Sequence, residues 1–127
     1  MTFVLLSAEL VERIHDHVLN PGELAGRALD KSLEGALARV DNRLTYGMIE
    51  DPFDLAAAYA VAISQGHCFN DANKRTAFRS MHAVLVLNGV QIVFDTEEVG
   101  QAIIRAAQRL MDEGELAEWL RQRAARG

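Results

Sequence analysis

The sequence predicts an all-α domain of about six helices, built around a central helix–loop–helix hairpin. Three observations carry that expectation. Apolar residues recur at helical spacing through most of the 127 residues. Several of these segments open on Ser, Thr or Asp and stop at Gly or Asn, residues that favour helix ends. Only Val90 to Phe94 has strand character, and it is too short to found an independent sheet. Helices packed in layers around one core are the architecture such a pattern permits.

Ser7 caps a first helix running to about Leu19, with Leu10, Val11, Ile14 and Val18 facing inward. His15 and His17 flank that stripe, and a spacing of two sends them to diverging faces, so solvated residues are expected rather than a metal pair. Asn20 to Leu29 carries Pro21, Gly22 and Gly26 and reads as a loop. From about Lys31 to Tyr46, Leu33, Leu37, Val40 and Leu44 define an amphipathic second helix. Glu50 and Asp51 could suggest paired catalytic acids, but Asp51-Pro52 is the pattern of an N-cap followed by proline at the first helical position. The third helix, Pro52 to about Gln65, is apolar nearly all round and therefore central, and Gly66 ends it.

The fourth helix starts at Asn73 or Lys74, with Asn73 as its N-cap, and stops at Leu87 before Asn88-Gly89. Ala77, Phe78, Met81, Val84 and Leu85 face inward, while Arg75, Arg79 and His82 form a stripe expected to be solvated. Thr96 starts a fifth helix, with Val99, Ile103, Ala106 and Leu110 toward the core. Asp112 to Gly114 breaks the chain, and a last helix carries Leu116, Trp119 and Leu120, with Trp119 a packing residue. No repeats, low-complexity tracts or linkers interrupt the chain, so residues 1–127 are expected to form one domain.

Half of the residues are hydrophobic, yet no apolar run approaches a membrane span. The N-terminus is apolar but lacks a basic n-region, so a signal peptide is not expected. A single cysteine excludes an internal disulfide and fits a reducing cytoplasm. The net charge of −5 argues against direct nucleic-acid binding, which requires a basic surface.

Against that background, His67-Cys68-Phe69-Asn70-Asp71-Ala72-Asn73-Lys74-Arg75 concentrates chemistry between two apolar helices. His67 is suited to take a proton from a hydroxyl nucleophile near neutral pH. Asp71 offers a hard oxygen for Mg²⁺ bridging phosphate oxygens. Lys74 and Arg75, beside the free N–H groups of a helix start, form an anion site for which phosphate is the natural ligand. Asn70 and Asn73 supply carboxamides for phosphate or nucleotide contacts, and Phe69 anchors the loop in the core. Cys68 and His67 are adjacent and do not aim at each other, so no Cys–His nucleophile is expected. His67, Cys68 and His82 likewise lack the spacing of a zinc site.

The run His67-x-Phe69-x-Asp71-Ala72-Asn73-Lys74-Arg75 resembles the signature of the Fic family, His-x-Phe-x-Asp/Glu-Gly-Asn-Gly-Arg-x-x-Arg. It is closer still to the Doc toxin branch of that family. Ala72 and Lys74 replace the two glycines, Phe78 stands where the final arginine is expected, and Arg79 comes one residue late, a rotation of ~100° on a helix.

The resemblance implies a kinase that uses ATP and Mg²⁺ to phosphorylate a protein hydroxyl, with a threonine of elongation factor Tu as target. His67 would be the base, Asp71 the metal ligand, Asn73 an orienting group, and Lys74 with Arg75 the charge stabilisers. Fic proteins mostly transfer AMP instead, and a lysine in place of the glycine fills the space through which backbone amides would close on an α-phosphate. AMP transfer and an inactive binding module are the alternatives. In Fic folds a flap near this part of the chain docks target peptides, and the loop from Asn20 to Leu29 is a candidate for it, with a simple helix connection as the alternative. No window matches the family's inhibitory Ser/Thr-x-x-x-Glu-Gly/Asn, since Ser32-Leu33-Glu34-Gly35 is two residues too short. Restraint by a Phd-like antitoxin is therefore expected, its segment folding as a helix into a groove near the loop after Leu19 and the first two helices.

Overall fold

The computed structural model describes residues 2–126, which form six helices: α1 (Ala8–Val18), α2 (Leu33–Thr45), α3 (Pro52–Gly66), α4 (Asn73–Leu87), α5 (Thr96–Ala107) and α6 (Glu113–Arg126). Helix α3 is the axis of the fold and packs against α2, α4, α5 and α6, while α1 lies across α4. Its ten consecutive positions from Leu55 to Ser64 are all buried. The alanines among them let neighbouring backbones close in, and a larger residue there would cost about 1–3 kcal/mol in strain.

Caps set most of the boundaries. The Ser7 hydroxyl accepts the Leu10 N–H at 3.1 Å, and Asp51 accepts the Asp54 N–H at 2.9 Å ahead of Pro52. Helix α2 begins at Leu33 rather than Lys31 because the Ser32 hydroxyl caps it through the Gly35 N–H, so Ser32-Leu33-Glu34-Gly35 is a helix start. Helix α5 starts at Thr96 as expected, with the Asp95 carboxylate as its cap through the Glu98 N–H at 2.9 Å. Asp112 and Glu115 exchange side-chain bonds with each other's N–H, so α6 starts at Glu113 and Gly114 lies inside it.

Val90 to Phe94 forms no strand, in keeping with a segment too short to found a sheet; Ile92 is buried singly. Two expectations fail on packing. Leu110 is 62% exposed, because α5 stops at Ala107 and Arg109 turns left-handed at φ 63°. His15 is fully buried rather than solvated, since it falls four residues after Val11 and so shares its inward face. Trp119 does pack, stacked on Phe94 with Arg123 4.1 Å above its ring. Arg121 of α6 bonds Asp51 and Asp54 at the start of α3; burial opposes the Asp51 charge, yet this guanidinium holds its carboxyl below the usual range.

Candidate active site

The motif loop connects the two most closely packed helices, and its main chain turns sharply at both ends. His67, at the C-terminus of α3, is left-handed at φ 48°, and Ala72, just before α4, is left-handed at φ 66°. Each costs about 1–2 kcal/mol for a residue with a Cβ, so the surrounding bonds must over-determine the loop. Gly66 permits the first turn: a Cβ there would sit 2.9 Å from the Cys68 sulfur and 3.3 Å from the Ala36 Cβ.

Cys68 and Phe69 then plunge into the core. Burial pushes the Cys68 thiol up from its ordinary pKa, which makes it inert rather than nucleophilic. Phe69 stacks on His15 with ring centres 3.9 Å apart and planes 9° from parallel, and the His15 Nε2–H donates to the Asp71 carbonyl at 2.8 Å. The ring thus touches the loop at two points.

Asn73 is not the N-cap. Ala72 holds that position with no side-chain bond, because the Asn73 carboxamide turns back to clamp Phe69. Its Oδ1 accepts the Phe69 N–H at 3.1 Å, and its Nδ2 donates to the Phe69 carbonyl at 2.9 Å. Thr76 supplies the first main-chain bond of α4, to the Ala72 carbonyl at 2.9 Å, leaving the amides of Asn73, Lys74 and Arg75 at an uncapped helix start.

The loop of residues 20–28 is stitched to the motif from the other side. Arg27 and Phe69 form an isolated antiparallel bridge, with the Ala28 N–H on the Cys68 carbonyl at 2.9 Å and the Asn70 N–H on the Gly26 carbonyl at 3.1 Å. The Asn70 amide donates to the Ala25 carbonyl at 3.1 Å, and one Asp71 oxygen, Oδ2, accepts the Leu24 N–H at 2.8 Å. Arg27 anchors the loop through Glu12 of α1 and Glu34 of α2, which raise its pKa.

The predicted site residues divide into free and engaged groups. His67 and Lys74 are exposed, and neither has a hydrogen-bond or ionic partner among the described residues. Asp71 Oδ1 has no protein partner among the described residues, since the Leu24 N–H binds Oδ2. Asn70 and Asn73 are engaged by main chain, and Arg75 is engaged by Glu23, which it grips with both terminal nitrogens, and by the Val18 carbonyl. The Arg75 bond, with the Asn20 N–H, holds the Glu23 carboxyl below its ordinary value, and Glu23 in turn raises the Arg75 pKa. No group of three or more His, Cys, Asp or Glu side chains converges on a metal position among the described residues. A single carboxylate with one open oxygen suits Mg²⁺ that shares its coordination with phosphates and water.

A groove of about 950 Å³ runs beside the motif between α1 and α4. Leu10, Ile14, Val18, Phe78, Val86 and Leu87 line it, and Arg75, Arg79, His17 and His82 supply its polar atoms. The stripe expected to be solvated is therefore one wall of a cleft. His82 sits half-buried with Phe94 5.2 Å away edge-on, and burial, with Arg79 next, pushes its pKa down. Of the elements named above for an antitoxin groove, α1 and the loop after Leu19, through Asn20, line this cleft, and α2 does not.

Sequence reasoning missed His15 and Glu23. The place of His15 on the Val11 face is a readable signal; nothing local marks Glu23, which meets Arg75 across 52 residues.

An all-helical fold whose central hairpin presents this loop defines a class, and comparison agrees with it. The chain belongs to the Fic/DOC family, whose model matches residues 5–85. It is similar to the protein kinase Doc of Escherichia phage P1, 38% identical over 118 residues that cover 92% of this chain and 93% of that protein.

Proposed function

We propose that the chain is a Doc-type toxin that transfers the γ-phosphoryl group of ATP to a protein hydroxyl, with a threonine of elongation factor Tu as the substrate. The observation that carries this reading is the near end-to-end similarity to a relative named as a protein kinase. The loop geometry supports it. The exposed His67 imidazole would take the hydroxyl proton as the target oxygen bonds to the γ-phosphorus. The bond from that phosphorus to the β,γ-bridging oxygen breaks, and ADP leaves with the electron pair. Lys74 and the open amides of the α4 start would hold the equatorial oxygens, and Asp71 would hold the Mg²⁺, which supplies charge neutralisation on the phosphates. Arg75, already neutralised by Glu23, would shape the site, as would Asn70 and Asn73, whose carboxamides brace the loop.

Blocking translation places the action in the cytoplasm, and no helix among the described residues is long and apolar enough to cross a membrane. The α1–α4 groove would receive the antitoxin: an amphipathic, acidic helix matches its apolar floor and its arginine and histidine rim.

The test supplies ATP labelled at the γ- or the α-phosphate to the purified chain with elongation factor Tu. Label on the target from the γ-position alone is expected. Transfer from the α-position alone would establish AMP transfer instead, and no transfer from either would leave a binding module.

A further inference from the structure

His15 lies 56 residues upstream of Asp71, yet it is the only side chain that grips the main chain at Asp71 among the described residues. It is fully buried, a costly place for an imidazole, and its Nδ1 has no hydrogen-bond partner among the described residues, the Asp16 carboxylate standing off at 3.6 Å. The other nitrogen must carry the proton, because the Asp71 carbonyl can only accept. The same ring stacks face to face on Phe69. A leucine would fill the volume without exposing a polar atom to the core, so packing alone does not account for a histidine here. The bond to Asp71 does. Phe69 has a second restraint in Asn73, and Asn70 has three carbonyls around its amide. Asp71 has the Leu24 N–H on its carboxylate and His15 on its carbonyl.

We propose that His15 is a positioning residue: its Nε2–H fixes the peptide of Asp71, so that the free carboxylate oxygen meets the metal of a bound metal–nucleotide. This rests on the phosphotransfer reading of the site. The side chain touches neither nucleotide nor target, and it acts through Asp71 as outer hydrogen-bond partners act on metal ligands.

Two substitutions separate the hydrogen bond from the stack. His15→Phe keeps an aromatic ring on Phe69 and loses the donor, while His15→Gln keeps an N–H at the reach of Nε2 and loses the ring. Binding of a non-hydrolysable ATP analogue is measured as a function of Mg²⁺, together with amide exchange across Asn70 to Ala72 and the melting temperature. In His15→Phe the half-saturating Mg²⁺ is expected to rise about tenfold, the scale on which such outer partners act. Exchange at the loop should quicken, while metal-free nucleotide binding stays unchanged. His15→Gln should return the Mg²⁺ requirement most of the way, even if it melts lower through loss of the ring. An unchanged Mg²⁺ requirement in His15→Phe, or equal defects in both variants, would overturn the positioning role. A wild-type chain with no Mg²⁺-dependent nucleotide binding would instead overturn the phosphotransfer reading and this inference with it.

Discussion

Removing the Asn73 carboxamide tests whether that residue clamps the loop. Asn73→Ala deletes two hydrogen bonds to Phe69, at 3.1 and 2.9 Å, in a part-buried setting. A net value of about 1 kcal/mol per bond gives a loss of about 2 kcal/mol, more if the Phe69 N–H and carbonyl find no water. At ~2.1 cal/mol/K per residue of unfolding entropy, a chain of 127 residues should melt about 7 °C lower. The left-handed turn at Ala72 is already strained, so nothing nearby is positioned to take over the clamp. His67→Ala is the control, since an exposed side chain without partners should change stability by less than about 0.5 kcal/mol. Thermal and urea denaturation of both variants give the comparison. An Asn73→Ala protein as stable as the wild type would refute the clamp and return its carboxamide to the phosphate.

Other consequences follow from single contacts. Ala72→Gly should stabilise the chain by about 0.5–1 kcal/mol, because glycine removes the Cβ strain at φ 66° while giving back some unfolded-state entropy; an unchanged or lower melting point would mean the turn is not strained. Val86→Glu puts a carboxylate into the α1–α4 groove at a position 59% exposed, so antitoxin binding should weaken by tenfold or more with folding intact, and unchanged neutralisation would remove the groove as the docking site. His82 is held below its ordinary pKa of 6.5, so its contribution to stability is full above that pH and is lost as pH falls through the folded value. Glu23 and Asp51, held below 4.5 and 3.8, weaken the fold only at more acidic pH. Urea midpoints of His82→Phe should therefore fall less steeply than wild type just below pH 6.5, and parallel curves would contradict the assignment.

The sequence made the helices legible because capping and periodicity are local: Ser7, Asp51-Pro52 and the apolar run of α3 each state their role within a few residues. The motif was legible as a cluster, since its polar groups are contiguous. How those groups divide was not. Asn73 looked like an N-cap because asparagine before a helix commonly is one, yet a longer-range geometry, the return to Phe69, claimed its amide. Arg75 looked free because Glu23 is distant in sequence. His15 looked solvated because a spacing of two from His17 puts the pair on diverging faces, yet its spacing of four from Val11 turns its own face inward. The cationic stripe of α4 was read correctly in spacing, but a stripe cannot show that a second helix lies across it.

The central claim is that the loop between α3 and α4 transfers a phosphoryl group with His67 as the base. Its most direct test is the turnover of His67→Ala on elongation factor Tu with Mg²⁺–ATP, measured beside nucleotide affinity and melting temperature. The account predicts a loss on the order of 10²–10⁴-fold in turnover with the other two unchanged. Turnover within a few-fold of the wild type in a folded, nucleotide-binding His67→Ala protein would contradict it.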